Sequence, residues 1–213
     1  MSLTGRALAQ SLRALAERDK DLARAIDLVG PLPDRTRQPG FPALLRIVCE
    51  QQLSVASAAA IWRRLEAEFS PLTPENLLAA DDARLAALGL SRPKIRYGRC
   101  LAEAVREGRL DFERLHGLDD RAASEELCAV KGIGRWTAEI YLLFVMRRPD
   151  IWPAGDLALQ EGMRLLKRLR KRPDEARMDR LARPWAPHRG TAARILWRYY
   201  ALTKKGAQAP EGA

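Results

Sequence analysis

The sequence predicts an all-α protein. Three observations carry that expectation: Ala-, Leu- and Arg-rich segments recur along the chain, β-branched residues are few, and no stretch alternates apolar with polar residues as a half-buried strand would. At 213 residues the chain can bury one sizeable core or two small helical ones. No internal repeat, low-complexity tract or long linker interrupts it.

The elements follow in order. From Leu3 to Glu17 a helix places Leu8, Leu12 and Leu15 on one stripe, and Asp21 to Val29 forms a second, stopped by Gly30-Pro31-Leu32-Pro33. Pro39-Gly40 leads into Phe41 to Gln52, with Phe41, Leu44, Leu45, Ile47 and Val48 on a core face and Pro42 in the first turn. The polar pair Gln51-Gln52 breaks that pattern, and Ser54 caps a helix running through Ala60 to Phe69. Taken alone, the glutamine pair reads as a solvated helix end.

Thr73-Pro74 and Asp81 start short helices, Gly89-Leu90-Ser91 ends one, and Ser91 to Glu107 is a basic helix carrying Arg92, Lys94, Arg96, Arg99 and Arg106. Asp111 and Asp119 cap the pieces that follow. Helices at Ala122–Val130 and Trp136–Met146 then flank Lys131-Gly132-Ile133-Gly134. Two glycines one residue apart permit positive φ and leave amide N–H groups uncovered, a turn that can face an anion. The start of the second helix adds its unsatisfied N–H groups, and Lys131 and Arg135 add charge. A DNA phosphate suits such a site; an ordinary glycine C-cap is the plainer alternative.

Beyond the loop Ile151–Gly155, Asp156 precedes a helix from Leu157 to Lys171 with Met163, Leu166 and Leu169 inward. Asp174 to Leu181 and Pro187 to Leu202 are the last helices, and 206–213 is expected to be a flexible tail. Asp156 is an N-cap by position, where a carboxylate meets the N–H groups and positive end of the helix dipole.

Lys and Arg number 37 against 27 Asp and Glu, a net charge of +10, which suits a polyanionic partner, with a solvated basic surface as the plainer alternative. Cys49, Cys100 and Cys128 are widely spaced within helical segments and are expected to be reduced core residues. His116 and His188 have no ligand-like spacing, so no catalytic metal is implied. No signal pattern opens the sequence, and no apolar run approaches the roughly 20 residues needed to cross a bilayer. A cytoplasmic protein is expected, nucleoid-associated if bacterial, with no membrane partner.

The run V-K-G-I-G-R-W-T-A-E from Val130, followed by R-P-D-x-x-P-x-x-D-L-x-L-Q from Arg148, resembles the helix-hairpin-helix DNA glycosylase superfamily. Within it the chain is most similar to the alkylbase branch, DNA-3-methyladenine glycosylase II, over roughly Phe41 to Tyr200. The resemblance implies two helical subdomains. One spans 42–148 and holds the hairpin at about 120–147; the other joins 1–41 to 149–205; an active-site cleft lies between them.

It also implies a function, a monofunctional glycosylase of base excision repair that flips alkylated purines such as 3-methyladenine and 7-methylguanine out of duplex DNA and hydrolyses the N-glycosidic bond. Asp156 matches the family's catalytic aspartate, which steadies the oxocarbenium-like sugar or orients the attacking water. The often acidic residue before it is Gly155 here. Bifunctional relatives carry a lysine two residues past the second hairpin glycine, where this chain has Trp136.

For the rest of the site, the resemblance makes Trp136, Trp197 and Tyr141 candidates for the base pocket, against the plainer reading of each as core. It places Gln52 where a side chain fills the gap left by the extruded nucleotide, and Lys131, Gly132, Ile133, Gly134, Arg135 and Thr137 at the DNA. The carbonyls of Cys128, Val130 and Ile133 would hold a monovalent cation, sodium or potassium. No iron–sulfur cluster is expected, since the four-cysteine cluster of related endonuclease-type enzymes is missing. Duplex DNA containing alkylated bases is the implied partner, and a monomer is expected. The rival readings are another damaged-base preference, a non-catalytic DNA-binding module using the same hairpin, or a basic helical scaffold.

Overall fold

The computed structural model of the chain describes residues 5–33 and 38–203. Among the described residues no β-strand occurs, as the composition predicted. They fall into two compact units, one drawn from Met1–Thr36 with Met146–Ala213 and the other from Arg37–Val145.

The first unit opens with α1 (Gly5–Arg18) and α2 (Lys20–Val29). Asp19 separates them and caps α2, accepting from the N–H groups of Asp21 and Leu22 at 3.0 and 3.3 Å. Leu22, Ala25 and Val29 are buried at the three- and four-residue spacing that gives α2 its apolar stripe. Gly30, at φ 66°, ends it.

In the second unit, eight helices follow among the described residues: α3 (Phe41–Glu50), α4 (Val55–Glu68), α5 (Pro74–Ala79), α6 (Asp82–Ala87), α7 (Arg92–Arg106), α8 (Phe112–Gly117), α9 (Asp120–Cys128) and α10 (Arg135–Ile140). Ser54, Thr73, Asp81, Asp111 and Asp119 each accept a first-turn N–H, so five of these starts were written in the capping residue. Helix α3 is buried nearly all round, at Phe41, Ala43, Leu44, Leu45, Ile47, Val48 and Cys49, because α4, α7 and α10 pack around it. Helix α10 runs on as a π-helical turn over Tyr141–Val145, every residue of it buried.

The chain then completes the first unit with α11 (Leu157–Leu166), α12 (Glu175–Ala182) and α13 (Arg189–Thr203). Helix α13 packs against both α2 and α11. Trp185, Trp197 and Ile195 are fully buried there.

Three expectations need correction. The helix after Asp156 stops at Leu166, five residues short of Lys171. Arg168 adopts φ 52°, its N–H bonds the Leu165 carbonyl and that of Leu169 bonds the Arg164 carbonyl, a paired C-cap that normally recruits glycine. Five cations among the six residues Lys167 to Arg172 would crowd one another on a continued helix. Similarly, α3 ends at Glu50 rather than Gln52. Of the cysteines only Cys49 is buried, while Cys100 is intermediate and Cys128 exposed. The expected tail at 206–213 lies outside the described residues.

The cation at the end of α11 has a specific partner. Lys167 Nζ donates to both carboxylate oxygens of Asp19 at 2.8 and 2.7 Å and to Asp21 Oδ2 at 2.8 Å, and Trp185 Nε1 donates to Asp19 Oδ2 at 2.8 Å. This ties the α1–α2 junction to α11 within the unit. Burial alone would raise the Asp19 pKa, but the hydrogen bonds from Lys167 and Trp185 outweigh it and hold the pKa below 3.8. The stabilisation is therefore complete above pH 3.8 and is lost as pH falls through the depressed native value. Asp19→Asn should cost about 2 kcal/mol at neutral pH in urea unfolding. The gap from wild type should narrow below pH 3.8; a gap that stays constant into acid would contradict this assignment.

Candidate functional site

Two constellations carry the candidate residues, one in each unit. In the first, the loop before α11 is laced to the helix it precedes. Ala154 N–H bonds the Trp152 carbonyl at 2.8 Å, Asp156 N–H bonds the Pro153 carbonyl at 2.9 Å, and Gln160 Nε2 reaches back to the Ala154 carbonyl at 2.8 Å. Asp156 is 6% exposed at the N-cap. Its Oδ1 accepts from Leu159 N–H at 2.7 Å and from Trp197 Nε1 at 2.9 Å. The first bond is local and legible in the sequence. The second comes from α13, 41 residues away.

That long-range bond depends on how closely α11 approaches α13. A Cβ added at Gly162 would lie 2.7 Å from the Leu196 carbonyl oxygen, so only glycine lets the two backbones meet there. Trp197 follows Leu196, and its indole arrives at the carboxylate. Trp197 has no exposed surface, and its indole N–H is committed to the Asp156 carboxylate. At Gly155 a Cβ would stand 3.1 Å from Glu175 Oε1, so a carboxylate from α12 rests against the residue before Asp156.

The second constellation is the hairpin between α9 and α10. Ile133 N–H bonds the Val130 carbonyl at 3.0 Å, closing a four-residue turn in which Gly132 is the third residue with φ 94°. Type II turns demand that sign at that position. A Cβ at Gly132 would also stand 2.2 Å from the ring of Tyr97. Gly134 has an ordinary φ of −89°, and a Cβ there would meet nothing within 4 Å; it caps α10 without any side-chain bond. One glycine is thus required by the fold, whereas the other leaves open space before a helix start. Lys131 is exposed, and Arg135 bonds Glu139 at 2.9 Å while keeping 59% side-chain exposure.

The turn after α3 belongs to the same constellation. Gln52 is exposed and held at φ 56°. Its neighbour Gln51 donates through Nε2 to the Gly132 carbonyl at 3.1 Å and to Thr137 Oγ1 at 2.8 Å. Thr137, 2% exposed, therefore anchors Gln51. Gln51, Lys94 and Tyr97 were not singled out from the sequence, where Lys94 looked like one of several cations on α7. Trp136 is intermediate in exposure, whereas Trp197 and Tyr141 are buried. Tyr141 packs as core: 1% exposed, its hydroxyl accepts from Gly40 N–H at 2.9 Å and its ring lies 5.9 Å from that of Phe112. Burial pushes its hydroxyl up to about 12, the Gly40 bond opposing the rise. Among the described residues no group of three or more His, Cys, Asp and Glu could hold a metal ion.

The sequence matches the HhH-GPD superfamily of base excision DNA repair proteins over residues 45–187. It is 35% identical over 189 residues to DNA-3-methyladenine glycosylase 1 of Schizosaccharomyces pombe, covering 84% of this chain and 82% of that protein. The fold matches the S. pombe 3-methyladenine DNA glycosylase in complex with abasic DNA at a TM-score of 0.84 and 31% identity, over 93% of this chain and 98% of that one. It matches a DNA-3-methyladenine glycosidase of Bacillus halodurans at 0.80 and 31% identity, over 100% and 97%.

The close approach at Gly162 makes a direct prediction. Gly162→Ala should cost about 1–3 kcal/mol in chemical denaturation, because the methyl must displace a backbone carbonyl rather than a mobile side chain. Gly134→Ala should fold with unchanged stability to within roughly 0.5 kcal/mol. Equal costs for both would refute the helix contact described here.

Proposed function

The chain belongs to the HhH-GPD superfamily of base excision DNA repair proteins, and we propose that within it the chain is a monofunctional N-glycosylase acting on alkylated purines in duplex DNA. The observation that carries this reading is the carboxylate of Asp156, buried at a helix start and gripped by a backbone N–H and an indole N–H. Such a group cannot swing away from a reacting centre, and a fixed negative charge is worth most where positive charge develops.

The chemistry follows from the charge on the substrate. A purine methylated at a ring nitrogen is cationic, so when the N-glycosidic bond breaks the base leaves with the bonding electrons as a neutral molecule. No general acid is required. The sugar is left with oxocarbenium character at C1′, which the Asp156 carboxylate stabilises. Water adds to C1′ and loses a proton, to the carboxylate or to solvent, giving an intact abasic site. Trp197 is a positioning residue that holds the carboxylate in one orientation.

Trp136 supplies an electron-rich ring for a cationic base. It also occupies the position where bifunctional relatives carry a lysine nucleophile, which favours hydrolysis without strand cleavage. Gln52, exposed on a left-handed turn, fills the vacated stack and hydrogen-bonds the orphaned base. The hairpin, with Lys131 and the open start of α10 at Gly134, takes the phosphate backbone without reading sequence. Cys128 is the last residue of α9, and Val130 and Ile133 follow in the turn that leads to α10; backbone carbonyl oxygens suit a hard monovalent cation. Sodium or potassium held there would add positive charge beside the phosphate and take no part in bond cleavage.

Base release from methylated duplex DNA tests the reading, with the freed bases identified by chromatography. Wild type should release 3-methyladenine and 7-methylguanine, and Asp156→Asn should lose at least about 100-fold in single-turnover rate while binding DNA as tightly. Tight, salt-sensitive binding with no release by wild type would instead favour a non-catalytic DNA-binding module.

A further inference from the structure

Lys94 lies in the first turn of α7, yet its side chain is committed to a different element. Nζ donates to the carbonyl of Cys49 and, at 2.8 Å, to the carbonyl of Gln51. Helix α3 ends at Glu50, so the Cys49 carbonyl is among the last four, which have no partner within the helix. Here an ammonium closes the helix end and binds the first residue beyond it.

Gln51 is held from the other side as well. Its main chain is tied to Lys94, while its side chain is tied to the Gly132 carbonyl and Thr137 Oγ1 of the hairpin. Tyr97, one turn along α7 from Lys94, lies against Gly132 so closely that no Cβ could be accommodated. Three elements, the end of α3, the start of α7 and the hairpin turn, thus meet at one residue. The next residue, Gln52, is exposed at φ 56°, a conformation a non-glycine residue keeps only when its surroundings dictate it. A recess of about 650 Å³ is lined by Gln51, Gln52, Lys94, Tyr97, Lys131 and Gly134, among others.

We propose that Lys94 is a positioning residue that fixes Gln52 relative to the hairpin, so that gripping the phosphate backbone and entering the base stack occur as one rigid movement. This rests on the glycosylase reading above. Burial of the ammonium lowers the Lys94 pKa, the neighbouring Cys49 and Glu50 opposing it, as expected for a cation desolvated against carbonyls rather than one displayed to phosphate. Lys94 accordingly differs in role from Lys131, which is exposed on the hairpin.

The test separates opening the base pair from holding the fold. Lys94→Met and Lys94→Arg are compared with wild type in single-turnover release of 7-methylguanine from two duplexes, one with the lesion opposite cytosine and one with it opposite an abasic site. Lys94→Met should be slower by about tenfold or more on the paired lesion. On the lesion that has no pair to break, the deficit should shrink to roughly twofold, because extrusion there costs little. Affinity for undamaged duplex and its salt dependence should stay within about twofold, since the phosphate contacts are intact. Lys94→Arg, which can still donate to both carbonyls, should recover most of the rate.

Equal deficits on the two duplexes would overturn the proposal and leave Lys94 a purely structural lysine. So would an unchanged rate in Lys94→Met. Wild type that released no base from either duplex would overturn the reading as a glycosylase that excises 7-methylguanine, and this inference with it, whereas an active wild type beside an equally active Lys94→Met would sink this inference alone.

Discussion

Asp156 Oδ1 receives two hydrogen bonds of different origin, one from the helix that Asp156 itself starts and one from an indole 41 residues further along. The first requires only the local geometry of an N-cap. The second requires that α11 and α13 be pressed together until a glycine is the only residue that fits between them. Much of this unit serves that contact. Helix α13 also packs against α2, and the start of α2 is fixed to the end of α11 by Lys167 and Asp19. The orientation of one carboxylate thus reports on the packing of three helices.

The hairpin unit follows a related logic with different groups. There the fixed object is a turn, and the fixing groups are carbonyls: Lys94 binds two at the end of α3 and Gln51 binds one at Gly132. Side-chain donors that satisfy exposed backbone acceptors are a means of making a loop as rigid as the helices around it. If Gln52 enters the base stack as proposed, that rigidity has a use, because a side chain that displaces a base cannot yield when the duplex resists. The basic composition supplies the general attraction to a polyanion; these neutral and charge-assisted bonds supply the shape.

Much of the fold was legible in the sequence because its signals are local. Ser54, Thr73, Asp81, Asp111, Asp119 and Asp174 mark helix starts by side-chain caps, and the apolar stripes match the buried faces. Asp156 and the Gly132 turn were legible for the same reason. What escaped was tertiary. Lys94 is one basic residue among several on α7 until its carbonyl partners on another element are known. Trp197 and Tyr141 carry the composition of a pocket, but only packing decides whether a ring faces a ligand, a carboxylate or a neighbouring Phe112. Helix α11 stops early, at Leu166, and Arg168 just beyond it adopts a left-handed conformation that sequence rules assign to glycine.

If the fixed carboxylate acts on developing positive charge, the enzyme must prefer a cation at the sugar over a neutral group of the same shape. The direct measurement is the affinity of wild type and Asp156→Asn for two duplexes, one bearing a positively charged pyrrolidine abasic analogue and one bearing neutral tetrahydrofuran. The account predicts that wild type binds the cationic duplex tighter by about tenfold or more, and that Asp156→Asn binds the two alike. A preference for the cation that survives Asp156→Asn would show that the charge is met elsewhere and would contradict the role given to Asp156.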